Sequence, residues 1–319
     1  MCSILSMNVA FWENQLGERG TTTSLYDYAY NNQTLLGNRS FIFYDKNNPN
    51  NQQQIIDKFK SNFVVHATDD FKEVDEYLTK YKITHIYIIK YGNKDNRVSK
   101  VAKNLIHCVF SCCEPHGDVY SAISPFLDRY RPEYPVVPHM IVLPDHDRNM
   151  RSELNIPEDA VVFGGYGGRT SFSINFAQHV VYQVASQNPK IYFLFANFDR
   201  FCPPLPNIIH LPAIFDPQEK TKFINTSDAM LWARHDGETF GIAIGEFSVK
   251  NRPIIAMDIG YRCHVHILGD QALWYKDAGS LQNILLRFDP LIERSKDWNA
   301  YRKFSPEKVM CAFDAIYLK

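Results

Sequence analysis

The chain has 319 residues, 45% of them hydrophobic and 22% charged, values typical of a globular protein of about two domains. Its 34 basic and 35 acidic residues give a formal net charge of −1, so no overall positive field attracts nucleic acid or an acidic membrane. The first fifteen residues have no basic lead and only a short apolar run, so we expect neither a signal peptide nor a membrane span.

Short β-rich segments alternate with helical patterns through the first half of the chain. Apolar runs predict strands at 3–11, 40–45, 63–68, 83–92 and 104–112, and another apolar run, 134–144, ends this half. Helices are predicted at 21–36, where threonines provide caps, and at 54–62, 69–81 and 118–130. Strands that are apolar throughout and are joined by helices favour a parallel, doubly wound sheet.

The alternation restarts after a charged, proline-rich stretch at 143–160. Strands are predicted at 160–168, 190–198, 207–214, 228–234 and 252–258, and helices at 173–189, 216–227, 238–251 and 305–319. We therefore predict an α/β protein of two doubly wound, Rossmann-like domains that face each other across a cleft. The predicted domains are 1–143 and 156–304, with a linker at 144–155 and a final helical segment, 305–319, that could pack back on the first domain.

Cysteine usage and the acidic triplet give no metal site. The seven cysteines are odd in number and follow no framework spacing, which favours reduced thiols in a cytosol-like, cytoplasmic compartment. Adjacent Cys112 and Cys113 would point to opposite faces of a strand, and the usual zinc spacings are missing. The triplet "DHD" at 145–147 lies in the proline-flanked linker, where a solvated loop is the expected structure. We expect no metal and no resident cofactor.

The stretch "FGGYGGRT" at 163–170 is a strand that runs into a glycine turn. It fails the dinucleotide-binding pattern, because Thr170 stands where the third glycine belongs, and it lacks the Gly-Lys pair of a P-loop. What remains is a turn at Gly167 and Gly168 with Arg169 at its tip, whose amides and guanidinium suit a diphosphate. A plain turn with a solvated arginine is the alternative.

The stretch "GERG" at 17–20 is the counterpart in the first domain. Gly17 and Gly20 precede a predicted helix, so the backbone could approach a ligand closely there. An ordinary surface loop explains the same residues.

The stretch "GETFGIAIGEF" at 237–247 holds two glutamates eight positions apart, Glu238 and Glu246. On one helix they would be separated by roughly 12 Å and lie within about 80° of each other, so both could face a cleft. Amides around Thr239, Phe240 and Gly241 would offer a positive helix end to phosphate. Carboxylates suit hydroxyl groups, so the stretch fits a ligand with hydroxyls on both sides of a diphosphate.

This stretch resembles the E-x7-E motif of the retaining GT-B glycosyltransferases of family 4. The surrounding segment 226–258 resembles the donor-binding core of that family, and 155–168 resembles its domain-opening strand and glycine turn. The segment "EPHGDVYSAIS" at 114–124 resembles the part of the first domain that carries an active-site histidine. The likeness is strong over about 155–260 and looser over the first half.

The resemblance implies a role for each matching residue of the motif. Glu238 would contact hydroxyls of the donor sugar, and Glu246 would hold the ribose. The amides of 239–241 would cradle the distal phosphate, and Arg169 would neutralise the diphosphate.

It also implies roles outside the motif. His116 would sit by the transferred sugar, and Gly17 and Gly20 would lie near the donor phosphate and the acceptor. The family usually has a lysine a few residues after the arginine; none occurs in "RTSFSINFAQ", and Arg234 is a candidate replacement.

The function implied is transfer of a sugar from a UDP- or GDP-linked donor to a hydroxyl of a glycan, protein or lipid-linked acceptor. The anomeric configuration would be retained, with the leaving diphosphate taking the acceptor proton and without a metal. Three alternatives stay open: a non-catalytic GT-B-like protein that binds a nucleotide sugar or a partner enzyme, a sugar-nucleotide epimerase, and a nicotinamide dehydrogenase. The failed dinucleotide pattern speaks against the dehydrogenase.

Overall fold

A computed structural model describes residues 6–319 of the chain. The predicted first strand begins at residue 3, so its first three residues lie outside the described part. The chain divides into two compact units. The first holds the residues up to Met140 together with Phe304–Lys319, and the second holds Ile141–Lys303.

The first unit is a six-stranded sheet with helices between the strands. Its strands are β1 (Asn8–Glu13), β2 (Arg39–Asp45), β3 (Val64–Thr68), β4 (His85–Lys90), β5 (Lys103–Cys108) and β6 (Val119–Ala122). Its first helices are α1 (Gly20–Thr34), α2 (Gln53–Lys60) and α3 (Phe71–Lys80). All strands are parallel, in the order β3-β2-β1-β4-β5-β6, so the order reverses between β1 and β4. Val9 pairs with Ser40 on one side and His85 on the other.

Two predictions for this unit were wrong in detail. The predicted helix 118–130 contains instead the strand β6, whose residues pair with β5 from Leu105 to Cys108, and no helix follows it. Pairing at the sheet edge outweighed helix propensity in this segment, and Pro125 interrupts any helix that could follow. Helix α1 begins at Gly20, and its N-cap residue is Arg19, whose side chain makes no capping bond, so the predicted threonine cap is not used.

The second unit repeats the architecture. Its sheet strands are β7 (Val161–Tyr166), β8 (Ile191–Ala196), β9 (Ile208–Leu211), β10 (Ala229–Leu231), β12 (Ile254–Met257) and β14 (Leu273–Tyr275), and β11 (Gly237–Glu238) and β13 (Tyr261–Arg262) form a separate two-stranded ribbon. Its helices are α4 (Asn175–Gln187), α5 (Pro217–Thr226), α6 (Ile242–Val249), α7 (Cys263–Leu268), α8 (Ala278–Arg287) and α9 (Pro290–Arg294). The order β14-β12-β10-β7-β8-β9, again all parallel, confirms the predicted α/β class with two doubly wound sheets.

The chain ends in α10 (Pro306–Phe313) and a π-helical turn, Asp314–Leu318, which belong to the first unit. The ring of Phe313 stacks on Phe11 of β1 at 6.2 Å and on Tyr28 of α1 at 5.3 Å. These aromatic rings are fully buried, so the last helix completes the core of the first sheet. Within residues 6–319, no helix has the length and apolar character needed to cross a membrane.

Candidate functional site

The glycine turn follows β7 at the carboxyl edge of the second sheet, where ligands bind in doubly wound folds. The carbonyl of Gly167 accepts a hydrogen bond from the side-chain amide Nδ2 of Asn197 at 2.8 Å, and that of Gly168 accepts from the Ser171 hydroxyl at 2.7 Å. A Cβ on Gly167 would lie 2.5 Å from Ser171 Oγ, whereas one on Gly168 would lie 3.9 Å away. The turn therefore has no room for a side chain at Gly167, whereas there is free space at Gly168.

Arg169 lies exposed at the tip of this turn. Its Nε and Nη2 atoms both donate to Oδ1 of Asp199, at 3.0 and 2.9 Å, and the Asp199 amide donates back to the Arg169 carbonyl. Both side chains are more than half exposed, so water screens the pair, and it contributes at most about 1 kcal/mol. An anionic ligand can therefore compete for the guanidinium at small cost.

Glu246 is on α6 and only 4% exposed. Its Oε2 accepts from the hydroxyl of Tyr166 at the end of β7, and its Oε1 accepts from Lys220 Nζ on α5 at 2.8 Å. The same ammonium lies 5.6 Å from the centre of the Tyr166 ring. Burial, and then the adjacent Glu246 charge, hold the pKa of Tyr166 well above its usual range. The carboxylate thus joins α6 to β7 and α5.

Glu238 is not on a helix, so the prediction that one helix spans 238–251 was wrong. It is the second residue of the short strand β11, and α6 begins only at Ile242. Gly237 and Gly241 have φ values of 71° and 84°, left-handed conformations that a continuous right-handed helix does not contain. The helical separation expected for Glu238 and Glu246 therefore does not apply.

The Glu238 carboxylate lies between an indole and a guanidinium. Its Oε1 accepts from Trp232 Nε1 at 3.0 Å, and its Oε2 accepts from Arg234 Nη1 at 3.3 Å. Burial raises the pKa of Glu238, and the Arg234 charge acts against that rise. Arg234 also lies 3.8 Å from Asp236, so the candidate replacement for the missing lysine already faces two carboxylates.

The turn from Thr239 to Gly241 is fixed by Tyr301. The Phe240 ring is buried edge-on against the Tyr301 ring at 5.6 Å, and the Tyr301 hydroxyl donates to the Phe240 carbonyl at 2.7 Å. A Cβ on Gly245, one turn into α6, would lie 2.6 Å from Ile141 and 2.7 Å from Tyr301. The glycines of this stretch thus allow left-handed turns and close packing, which explains their number without reference to a ligand.

His116 lies in the first unit, in the loop between β5 and β6. Its Nδ1 faces the Glu114 carbonyl at 2.7 Å, so this nitrogen carries the proton, and its Nε2 accepts from Lys90 Nζ at 2.9 Å. Lys90 also donates to Asp95 at 2.6 Å and to the Arg97 carbonyl at 2.9 Å. Burial, joined by the Lys90 charge, lowers the pKa of His116, which favours a neutral imidazole in a fixed tautomer.

The glycines of "GERG" also have structural reasons. A Cβ on Gly17 would lie 2.5 Å from the Asn50 carbonyl oxygen, so this position packs against the loop before α2. Gly20 is the first residue of α1, and Arg19 between them is exposed. The structure places both glycines after β1, at the carboxyl edge of the first sheet.

Sequence reasoning missed three side chains that hold the carboxylates. Tyr166 lies within the glycine-rich stretch 163–170, but the sequence patterns assigned it no role. Trp232 follows a buried three-residue strand, and Lys220 lies on a separate helix, so neither is close to the motif in sequence. From the sequence, only residues at the carboxyl end of a predicted strand, such as Trp232, could have been expected near the site.

Within the described residues, no three His, Cys, Asp or Glu side chains group in a way that could hold a metal ion. Six cysteines in that part of the chain form no disulfide: Cys108, Cys112, Cys113, Cys202, Cys263 and Cys311.

The chain matches no known family model and no curated protein sequence. Its fold is similar to that of several solved structures. A glycosyltransferase from Rickettsia africae is 13% identical, with a TM-score of 0.67 and coverage of 98% of both chains. HepE from Anabaena, in complex with UDP-glucose, is 13% identical, with a TM-score of 0.71 over 97% of this chain and 99% of that one.

A putative UDP-N-acetylglucosamine 2-epimerase from Listeria monocytogenes is also similar, at 10% identity, with a TM-score of 0.59 over 98% of this chain and 96% of that one. At these identities the likeness concerns the fold alone. It confirms the predicted GT-B fold class.

Proposed function

We propose that the protein is a retaining glycosyltransferase that moves a sugar from a nucleotide-diphosphate donor to an acceptor hydroxyl without a metal. The observation that carries the proposal is the set of groups at the carboxyl edge of the second sheet. An exposed arginine follows β7 on a glycine turn, Glu246 of α6 bonds the last residue of β7, and Glu238, just before α6, bonds Trp232 directly after β10. The fold also supports the proposal, because HepE has a similar fold and its structure contains bound UDP-glucose.

The donor would lie along this edge with its diphosphate at the first turn of α6. Amides in the first turn of a helix lack intrahelical acceptors and suit phosphate, and Thr239, Phe240 and Gly241 lead directly into that turn, with Gly241 as its N-cap residue. Arg169 would leave the exposed Asp199 and turn to the diphosphate. Gly168 leaves room there for the ligand, because little approaches its missing side chain.

The two glutamates would bind the hydroxyl groups at the ends of the donor. Glu238 would receive sugar hydroxyls while Trp232 and Arg234 hold its orientation. Glu246 would receive the ribose, because a carboxylate has about four acceptor sites and Tyr166 and Lys220 occupy one each. We assign to Lys220, beside the glycine turn, the positive charge that the missing family lysine would supply.

In the reaction, bond cleavage would give the sugar positive charge and the diphosphate negative charge. The helix amides and Arg169 would stabilise the diphosphate, which would take the acceptor proton on the face that it leaves. His116 would act at the sugar as a neutral imidazole, since a cation there would oppose the developing charge. Cysteines kept in the thiol form would suit a reducing, cytosol-like compartment for this reaction.

One observation favours a second candidate, a GT-B-like protein that binds a nucleotide sugar without transferring it. Glu238, Glu246 and Arg169 all have partners inside the protein, and the family lysine is missing. Internal partners of this kind would weaken donor binding or limit turnover.

The test is to incubate the protein with UDP-glucose and with GDP-mannose and to measure release of the nucleotide. Glu238→Gln should lower release strongly, whereas Glu158→Gln, an exposed change in the same unit, should not. Activity that survives a chelator would support metal independence, and the anomeric signal of the product by NMR would report retention. Donor binding without release would favour the second candidate, and absence of both would refute the two together.

A further inference from the structure

The first unit contains a cavity of about 280 Å³ at the carboxyl ends of β1 and β4. This is the point where the strand order reverses, the usual ligand position in a doubly wound sheet. The polar part of its wall includes Glu13, Arg19, Thr21, Lys90, Asp95 and Arg97. Sequence reasoning assigned none of these residues a role.

Glu13, the last residue of β1, is the unusual member of this wall. It is 3% exposed, its Oε1 accepts only from the Asn14 amide at 3.2 Å, and its Oε2 has no partner among the described residues. The Thr21 hydroxyl lies close enough to lower the pKa of Glu13, but it makes no hydrogen bond of normal geometry with any described residue. A buried carboxylate oxygen without a donor is costly, so a hydroxyl group in the cavity would be stabilising.

The electrostatics of Glu13 agree with this geometry. Burial raises its pKa to about 7, although the charge of Arg19 and the nearby Thr21 hydroxyl act to lower it. Burial raises the pKa of Tyr87 on the adjacent strand β4, and the Glu13 charge makes a smaller contribution to that rise. An added hydrogen-bond donor would make the ionised carboxylate easier to keep.

The three cations of the cavity wall differ in how many of their hydrogen-bond donors already have acceptors within the protein. Lys90 has three acceptors, one for each of its N–H groups. Arg97 lies over the Trp12 ring at 5.2 Å and 3.5 Å from Asp95, with 45% of its side chain exposed. Arg19 donates one bond, to Asn14 at 2.6 Å. Each guanidinium has five N–H donors, so Arg19 and Arg97 retain the capacity to bind an anion.

We propose that this cavity binds the acceptor, and that the bound end of the acceptor is a single sugar-sized group bearing both hydroxyls and a negative charge. One hydroxyl would donate to Glu13 Oε2, and the anionic group would bind Arg19 and Arg97. This inference rests on the proposed function, because the ligand is an acceptor only if the protein is a glycosyltransferase. It identifies the acceptor class, which the motif does not.

Size and charge select this occupant. Small-molecule sites usually enclose about 300–1,000 Å³, so this cavity, at the lower limit, takes about one ring. Three cations and two carboxyl groups line it, which disfavours a cationic ligand and favours an anion. Lys90, which lines the cavity, also donates a hydrogen bond to His116. A ligand in the cavity would therefore lie close to His116, the residue proposed to act at the transferred sugar.

The experiment is calorimetric titration of the full chain with glucose 6-phosphate, glucuronate, glucose and inorganic phosphate. The wild type should bind glucose 6-phosphate, glucuronate or both at least about tenfold more tightly than glucose or phosphate alone. Glu13→Met should weaken that binding by about tenfold or more, and Glu13→Gln, which keeps a carbonyl oxygen, should recover part of it. Arg97→Gln should reduce binding of the charged sugars to the level of glucose.

Exposed residues outside the cavity supply matched controls. Glu18→Met and Arg131→Gln should bind as the wild type does. If Glu13→Met fails to fold, Arg97→Gln tests the same site, because Arg97 is partly exposed. Equal binding by the wild type and both cavity variants would overturn the inference, as would inorganic phosphate binding as tightly as the sugar phosphate.

A separate titration with UDP-glucose and GDP-mannose distinguishes the two proposals. Donor binding without any acceptor-sugar binding would overturn this inference alone. Sugar binding that depends on Glu13, with neither donor binding nor turnover, would overturn the proposed function and leave a site for an anionic sugar.

Discussion

The ammonium group of Lys220 lies 2.8 Å from Oε1 of Glu246, and both side chains are largely buried. Together with the Tyr166 hydroxyl on Oε2, this contact ties three elements at the edge of the second sheet: β7, α5 and α6. The pair is therefore structural in the ligand-free protein. In the proposed complex it also places a positive charge beside the donor.

Lys220→Met should destabilise the protein, because it leaves Glu246 buried with Tyr166 as its only partner. The free energy of unfolding should fall by about 2 kcal/mol. Urea unfolding of the variant against the wild type measures this loss. Lys190→Met, which removes a solvent-exposed pair with Asp159, should cost much less, because water screens that pair. Equal losses of unfolding free energy in the two variants would show that the buried pair of Lys220 and Glu246 stabilises the protein no more than an exposed pair does.

The architecture could be predicted from the sequence because it depends on local patterns. Apolar runs of strand length, alternating with helical periodicity, gave both parallel sheets without any knowledge of side-chain contacts. The error at 118–130 arose where two local signals compete. The four residues of β6 are stabilised as a strand by pairing with β5. That pairing joins separate segments of the chain, so a local sequence pattern does not reveal it.

The sequence indicated where the candidate residues lie in the fold, but not their local geometry. The glycine turn and the motif do lie beyond strand ends, as the alternation indicated. The spacing of Glu238 and Glu246 suggested one helix, but left-handed glycines at 237 and 241 separate the first glutamate from it. Partners distant in sequence, such as Lys220 for Glu246, come together only through the fold.

Gly241→Ala should lower stability, because Gly241 has a φ of 84° and a Cβ there would lie 3.3 Å from the Tyr301 hydroxyl. A left-handed conformation costs an alanine about 1–2 kcal/mol. Thermal unfolding should show a lower midpoint than the wild type. Gly168→Ala is the matched control for stability, since its nearest contact would be 3.9 Å away. A midpoint unchanged in Gly241→Ala would contradict the conformation described.

Glu13 should make the protein less stable as the pH rises. Its pKa is about 7 in the folded protein against an ordinary value of 4.5, so the folded state holds this proton more tightly than the unfolded state does. The associated stability is present below pH 4.5 and is lost as the pH approaches and passes about 7, a change of about 3 kcal/mol. Urea unfolding across this range measures it.

Glu13→Gln isolates the effect from other titrating groups. The difference in unfolding free energy between variant and wild type should shift in favour of the variant as the pH rises from about 5 to about 8. Buried His107, whose pKa is lowered to about 3, is present in both proteins and cancels in the difference. A difference that stays constant with pH would mean that Glu13 is not buried as described.

His116 should stay neutral to a lower pH than an ordinary histidine, because burial and the Lys90 charge both disfavour its protonated form. Two-dimensional NMR of the imidazole nitrogens should show the proton on Nδ1 and a titration midpoint below 6.5. Lys90→Met removes the charge and the donor to Nε2, so the midpoint should rise. Lys100→Met, an exposed change in the same unit, should leave it in place. A wild-type midpoint above 6.5 would contradict the proposed neutral imidazole at the sugar, because protonated His116 would oppose the positive charge of the transition state.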